Sequence, residues 1–292
     1  MNEPAKLAPQ GSFLERNEFL LRRLHSLSGI VPVGAYMVIH LLTNASVLDG
    51  PATFQRRVYA IHSLGAVLPL VEWTFIFIPL LYHALYGVLI TRGALPNSGA
   101  YRYGSNVRYT LQRATGMIAF VFIFWHVFHM HGWLHAEWWE RGVAQPLFGA
   151  MFRPYNAAST AAQAMQLSII VPILYAIGVL ACVFHLANGI WTFGITWGLW
   201  VTPAAQRWAT RVSLVFGLLL AAVSLGALGG FYRVNVDEAR EVENLMYEKQ
   251  FAVEIEEAKK LGNEDPNAKK RYDPKEQYRG RSPATAAVPD SQ

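Results

Sequence analysis

Histidine is the residue type in this chain whose placement points to chemistry. Four of the nine histidines stand within long apolar stretches, and these are His40, His83, His126 and His185. An ionisable side chain in hydrocarbon is costly, so it normally faces the interior of a helix bundle and marks a functional site. A hydrogen bond to a neighbouring helix explains one such histidine equally well. Four, one on each of four helices, favour a metal-containing cofactor, because neutral imidazole is a good ligand for iron, copper and zinc.

The positions of these histidines divide them into two pairs. Each lies in the later half of its predicted helix, and successive membrane helices run in opposite directions. His40 and His126 therefore approach one face of the membrane, and His83 and His185 approach the other. Two layers that are roughly 10 to 20 Å apart, at about 1.5 Å of rise per residue, cannot share one metal ion. The sequence therefore predicts two sites.

The residues around the histidines favour haem over a bare metal ion. His83 and His185 are each followed, four residues later on the same helix face, by a glycine: Gly87 in HALYG and Gly189 in HLANG. Glycine leaves room for a flat macrocycle, and small residues one turn apart also favour plain helix packing. The single cysteine, Cys182, excludes an internal disulfide and a cysteine-held iron-sulfur cluster. Two axial imidazoles leave no open coordination position on a haem iron, which points to electron transfer.

The helices that must position these histidines are visible as five apolar stretches, each long enough for the roughly 20 residues that a bilayer requires. A chain of 292 residues that is 53% hydrophobic and 15% charged is not typical of a soluble protein. The predicted spans are Leu24 to Ala45, Val67 to Thr91, Ala114 to Met130, Ile169 to Thr196 and Val212 to Phe231. The first is not a cleavable signal peptide, because RRLH precedes it and no small-residue cleavage site follows. The predicted fold is an all-α membrane protein, a five-helix transmembrane bundle with a polar C-terminal tail.

The charges of the loops predict the orientation of this bundle. Lys and Arg concentrate before the first span and between the second and third, so the positive-inside rule places the N-terminus in the cytoplasm. We expect a cytoplasmic segment over residues 1–23, a transmembrane domain over residues 24–231, and a partly helical or disordered tail over residues 232–292. That tail is either a solvated extension or a docking segment for a partner. No basic-aromatic motif indicates binding to nucleic acid.

At these histidines the chain resembles the single-polypeptide, five-span, di-haem cytochrome b subunits of succinate dehydrogenases and fumarate reductases. The matching stretches are FLLRRLHSLSGIVPVGAYMVIHL, VEWTFIFIPLLYHALYGVLI, LQRATGMIAFVFIFWHVF and VFHLANGIWTFGITWGLWVTPAAQR. They lie between about Glu18 and Phe231 and carry all four histidines in register. The resemblance implies that His40 and His126 are the axial ligands of an outer, lower-potential haem b. It implies that His83 and His185 hold an inner, higher-potential one.

The resemblance also implies partners and a reaction. The chain would anchor a flavoprotein subunit and an iron-sulfur subunit to the cytoplasmic face of a bacterial cytoplasmic membrane. Electrons from succinate would pass through the iron-sulfur clusters and the two haems to a quinone, typically menaquinone. Succinate chemistry is expected on another chain, because nothing in this sequence resembles a flavin or dicarboxylate site. The polar tail is a departure from the shorter members of the family.

Two further groups of residues are candidates for this function. Arg22, Arg23 and His25 begin the first span, and with Arg113 they are candidates to bind the propionates of the inner haem. The alternative is a positive-inside anchor that touches lipid headgroups or the iron-sulfur partner. Glu72 enters the second span at the outer face and is a candidate proton carrier for the quinone. It is otherwise a carboxylate that stabilises a helix N-terminus.

Three alternatives remain open from the sequence. His129 lies three residues from His126 and is an alternative ligand on the same helix. The chain is otherwise the cytochrome b anchor of another quinone-linked complex, such as a formate dehydrogenase, hydrogenase or nitrate reductase. From a different class, a non-redox transporter or proton channel would line a polar path with histidines. A reduced-minus-oxidised spectrum separates that last possibility from a cytochrome.

Overall fold

The structure is a computed structural model that describes residues 11–93, 99, 103–265 and 267–273. Among these residues it contains helices and no strand. The α-helices are α1 Phe13–Arg16, α2 Glu18–Ile30, α3 Val33–Ala45, α4 Pro51–His62, α5 Leu68–Glu72, α6 Ile78–Arg92, α7 Gly104–His131, α8 Glu137–Trp139, α9 Ala157–Gln166, α10 Ile170–Thr196, α11 Pro203–Arg233, α12 Val236–Gln250 and α13 Ala252–Lys260.

Five helical segments of the described chain are long and apolar enough to cross a membrane. They are Glu18–Asp49, Gly65–Arg92, Gly104–His131, Ile170–Thr196 and Pro203–Arg233. The prediction of an all-α, five-span membrane bundle is therefore confirmed. The third and fifth helices begin about ten residues before their predicted apolar stretches. Apolar composition marks only the hydrocarbon-embedded part of a helix, whereas hydrogen bonding continues into the charged turns beside it.

The first two spans are not continuous α-helices. The first is divided at Pro32, which lies between α2 and α3 and lacks the N–H that an uninterrupted helix needs. In the second span a π-helical turn, Trp73–Phe77, follows Glu72 and precedes α6. Turns of this kind occur often at functional sites.

Apolar side chains face outward and small residues face inward, as in a bundle surrounded by lipid. Leu214, Leu218 and Leu219 on α11 are about 60% exposed. On the inner side of the same helix, a Cβ added to Gly217 would lie 3.0 Å from the Cβ of Ala187 on α10. Small residues let membrane helices approach closely, so α10 and α11 form a tightly packed pair.

The C-terminal segment folds back on the end of the bundle where α3 and α7 finish. Helix α12 packs against α4, α9 and the turn Pro154–Asn156. Its buried face consists of Ala239, Glu243 and Tyr247, spaced four residues apart as one face of a helix requires. Of the two alternatives for the tail, a solvated extension does not describe this segment, because one face of α12 is buried on α4, α9 and the turn Pro154–Asn156. Residues 266 and 274–292 of the expected tail lie outside the described residues. So do Lys6, one of the cations before the first predicted span, and Arg102, one of those between the second and third.

Candidate metal centres

The structure brings the four intramembrane histidines together as two pairs. The ring centres of His40 on α3 and His126 on α7 are 6.0 Å apart, with an interplanar angle of 73°. The ring centres of His83 on α6 and His185 on α10 are also 6.0 Å apart, at 83°. When two imidazoles bind one metal from opposite sides, each nitrogen–metal bond is about 2 Å long and each nitrogen lies about 1 Å from its ring centre. The two ring centres are then about 6 Å apart. Both pairs therefore have the spacing of two ligands on opposite sides of one metal.

A bare ion would need more donors than these pairs supply. Among the described residues, no group of three or more His, Cys, Asp or Glu side chains lies close enough to hold a metal ion. A macrocycle that provides the remaining donors resolves this shortage, because only two axial positions are then left to the protein. The donor set thus fits haem and does not fit a protein-only zinc or copper site.

At the pair His83 and His185, both imidazoles are oriented by backbone carbonyls. Nδ1 of His83 lies 2.9 Å from the carbonyl oxygen of His25, and Nδ1 of His185 lies 3.0 Å from that of Gln112. An Nδ1–H that donates to a carbonyl fixes the tautomer in which Nε2 keeps its lone pair for a metal. These contacts prepare both rings for ligation through Nε2.

The pair His40 and His126 is held differently. Nδ1 of His126 lies 3.2 Å from the hydroxyl oxygen of Tyr175, whereas Nε2 of His40 lies 3.2 Å from the side-chain nitrogen of Asn44. A metal bound through Nε2 of His40 therefore has to displace that amide. His129, the alternative ligand on α7, stacks on Trp125 with ring centres 5.0 Å apart. It is His126 that faces His40.

Two glycines that the sequence analysis did not select make room for the rings of His83 and His185. A Cβ added to Gly29 would lie 2.3 Å from Cε1 of His83, and one added to Gly116 would lie 2.8 Å from Cε1 of His185. Such distances do not occur for real Cβ atoms, so any larger residue would displace the imidazole. Each glycine follows by four residues the residue whose carbonyl binds the ring, His25 or Gln112, and this relation emerges only when the helices are packed together.

The glycines that the sequence did select have other neighbours. A Cβ at Gly87 would lie 3.1 Å from Cε1 of His25, so this glycine accommodates that ring. A Cβ at Gly189 would meet the Gln112 side chain and Ile30 at 3.8 Å, an ordinary contact distance. Neither glycine makes room for an imidazole of the two pairs, and a role beside a macrocycle stays a prediction.

A chain of polar side chains extends from His185 along the interface of α7 and α10. The amide of Gln112 donates to the carbonyl of His185 at 3.1 Å, and Asn188 donates to Oε1 of Gln112 at 2.7 Å. Nε of Arg108 donates to Oδ1 of Asn188 at 2.9 Å, and its guanidinium lies over the Trp191 ring. Asn188 is buried and hydrogen-bonded to both Gln112 and Arg108, so the network fixes the register of the two helices at His185.

The predicted cationic cluster lies at the His83 end of the bundle, and its members are in different environments. His25 stacks on His83 with ring centres 4.0 Å apart and planes within 7°. Three solvent-shielded nitrogens have no hydrogen-bond partner among the described residues: Nε of Arg23, Nδ1 of His25 and Nε of Arg113. Arg22 is exposed instead and forms an ion pair with Glu18 at 2.7 Å.

Glu72 ends α5 directly before the π-helical turn, at the His40 end of the bundle. Its carboxylate interacts electrostatically with Tyr36 and His135. The ring of Tyr36 lies 5.6 Å from that of His40. Glu72 is therefore near the His40 pair. It lies four residues after the start of α5 at Leu68, beyond the first turn in which a carboxylate stabilises a helix N-terminus.

Comparison with known proteins shows what the chain is similar to. No protein-family model matches the chain. It is 38% identical over 214 residues to the succinate dehydrogenase cytochrome b558 subunit of Bacillus subtilis (strain 168). The alignment covers 73% of this chain and 97% of the relative.

Proposed function

Because the chain belongs to the family of succinate dehydrogenase cytochrome b subunits, we propose that it carries electrons through two b haems to a quinone. The observation that carries the proposal is the pairing of four histidines from four helices into two couples, each with ring centres 6.0 Å apart. One haem would lie between His40 and His126, and the other between His83 and His185. When bound, haem supplies a one-electron carrier.

The protein's part in this function begins with ligand orientation. The carbonyls of His25 and Gln112 hold the imidazoles of His83 and His185 with Nε2 available. Each Nδ1–H is hydrogen-bonded, and this makes the two imidazoles more basic as metal ligands.

Buried nitrogen atoms without hydrogen-bond partners at the His83 end support a site for the anionic groups of the same haem. Buried nitrogens normally have hydrogen-bond partners, so the orphaned atoms of Arg23, His25 and Arg113 call for an acceptor. Haem propionates are carboxylates and would satisfy them through charge-assisted hydrogen bonds. Arg22 is a weaker candidate for binding a propionate, because it is exposed and already forms an ion pair with Glu18.

Quinone reduction requires protons as well as electrons, and Glu72 is the proposed carrier. It lies at the membrane edge beside Tyr36 and His135, close to the His40 pair. A carboxylate there can hold a proton and pass it to a reduced quinone. The adjacent π-helical turn supports the assignment, because such turns concentrate at functional sites.

The partners and orientation follow from the family and from charge. We place the N-terminus and the His83 end in the cytoplasm of a bacterium, where Arg22, Arg23 and Arg113 obey the positive-inside rule. The flavoprotein and iron-sulfur subunits would bind that face and deliver electrons to the His83 pair first. The His40 pair and Glu72 would then lie at the outer face with menaquinone or another quinone.

Haem content and succinate-dependent quinone reduction of the purified complex test the proposal. We expect two haems per chain and an α-band that titrates in two steps. Replacing His83 or His185 by alanine should remove one haem, and replacing His40 or His126 should remove the other. His62→Ala, outside the spans, is the control and should retain both. Retention of both haems after loss of His83 and of His185 would overturn the assignment.

A further inference from the structure

The hydroxyl group of Tyr175 contacts two imidazoles of α7 at once. Its oxygen lies 3.2 Å from Nδ1 of His126 and 2.8 Å from Nδ1 of His129. Tyr175 and His129 are 6% and 2% exposed, so water does not compete for these contacts. A hydroxyl has one proton, and therefore it can donate to only one of the two rings and must accept from the other.

The positions of the protons follow if His126 binds a metal through Nε2. Its Nδ1 then carries the proton and donates to the oxygen of Tyr175. The hydroxyl of Tyr175 then donates its own proton to Nδ1 of His129, and this is the shorter of the two contacts. His129 is thereby fixed as the tautomer protonated at Nε2, an atom that has no partner among the described residues. The result is a directed chain from His126 through Tyr175 to His129.

Packing holds the tyrosine in this position. Its ring lies edge-on to Phe122 and Trp125 of α7, with centres 5.4 and 5.1 Å away. Phe122 also stacks against His126, and it fits there because Gly178, one turn after Tyr175, has no side chain. A Cβ at Gly178 would lie 2.1 Å from the Phe122 ring.

We propose that Tyr175 is a positioning residue that sets the reduction potential of the haem held by His40 and His126. This inference rests on the proposed function. The hydrogen bond that His126 donates from Nδ1–H to Tyr175 makes the imidazole more electron-rich, and an electron-rich axial ligand stabilises the oxidised iron. The second bond, from Tyr175 to His129, polarises the hydroxyl and strengthens its acceptor character. The His83 pair has no such tunable group, since its Nδ1 partners are backbone carbonyls.

Optical redox titration of the purified complex tests the inference. In Tyr175→Phe we expect both haems to be retained, the midpoint potential of the His40–His126 haem to rise, and that of the other haem to stay unchanged. In His129→Leu the same potential should rise by less, because Tyr175 remains as an acceptor. The control is Tyr82→Phe, which removes a hydroxyl that donates to the Leu21 carbonyl at the opposite end. It should leave the His40–His126 potential unchanged.

The outcomes separate this inference from the proposed function. Two haems in every variant with no potential shift in Tyr175→Phe would overturn the inference and leave the function intact. An equal rise in Tyr82→Phe would also overturn it, since the effect would not be specific. If Tyr175→Phe loses the haem, His129→Leu decides: a rise supports the inference and an unchanged potential refutes it. A wild-type complex without two haems would instead refute the proposed function.

Discussion

At the scale of single residues, each imidazole of the His83 pair depends on a glycine of another helix. We expect Gly29→Ala to remove the haem at His83 and His185 and to leave the other bound. The added Cβ would lie 2.3 Å from Cε1 of His83. That ring cannot retreat easily, because its Nδ1 is bonded to the His25 carbonyl and its face is stacked on the His25 ring. Haem per chain, measured as the pyridine haemochrome, gives the readout.

The matched control for this substitution is Gly229→Ala in α11. A Cβ at Gly229 meets nothing within 4 Å, so the same change in a membrane helix should leave two haems. Full haem content in Gly29→Ala would show that His83 can move, and would remove the steric argument for its placement.

At the scale of elements, the docking of α12 depends on one buried carboxylate. Glu243 is fully buried and accepts hydrogen bonds from the backbone N–H groups of Ala158 and Ser159 and from the Ser159 hydroxyl, at the start of α9. We expect Glu243→Ala to undock α12, because each buried donor left without a partner costs about 1 to 3 kcal/mol. Limited proteolysis between α11 and α13 should become faster. The exposed Glu241→Ala on the same helix is the control, and equal rates in both variants would contradict the expectation.

The same carboxylate makes α12 docking depend on pH. Burial raises the pKa of Glu243 from its ordinary value of 4.5 to about 7, against the opposing effect of its hydrogen-bond donors. The folded state therefore binds the proton more tightly than the undocked state. Stability from this group is full below about pH 4.5, falls as the pH rises to about 7, and is constant above that.

We expect protease resistance of α12 to fall over this range in the wild type and to fall less in Glu243→Gln, which cannot titrate. His62 on the adjacent α4 has a pKa lowered by burial and by Lys270, so it contributes the opposite trend. The difference between the wild type and Glu243→Gln isolates the carboxylate. Parallel curves for the two proteins would exclude Glu243 as the titrating group.

What the sequence could predict at this scale follows from which signals are local. Long apolar runs and a histidine in the later half of each helix define the spans and the two pairs, because both depend only on helix geometry and chain direction. The role of Gly29 depends on which helix lies opposite, and no local pattern specifies that neighbour. From the sequence alone, Glu243 is expected to be a solvent-exposed acid. Its burial depends on the packing of α12 against the N-terminus of α9. Tyr175 likewise acquires its two imidazole contacts only from the packing of α7 on α10.

At the scale of the whole molecule, the membrane bundle and the C-terminal cap formed by α12 and α13 are separable structures. The cap packs on α4, α9 and the turn Pro154–Asn156, whereas the His40 pair is held by α3, α7 and α10.

We therefore expect a chain ended at Val234 to bind both haems and to lose thermal stability at the His40 end. Ending there preserves the bonds from the Gln166 amide to the carbonyls of Phe231, Tyr232 and Val234, which connect α9 to α11. It also exposes the face of α9 that α12 covers through Glu243, and this exposure is the source of the lost stability. Haem content and the temperature at which the haem absorbance is lost measure the two effects. The control is a chain ended at Asp273, which keeps the described cap and should match the full chain in haem content and thermal stability. Loss of the His40–His126 haem in the chain ended at Val234, but not in this control, would contradict the expectation and show that the cap is needed for that site.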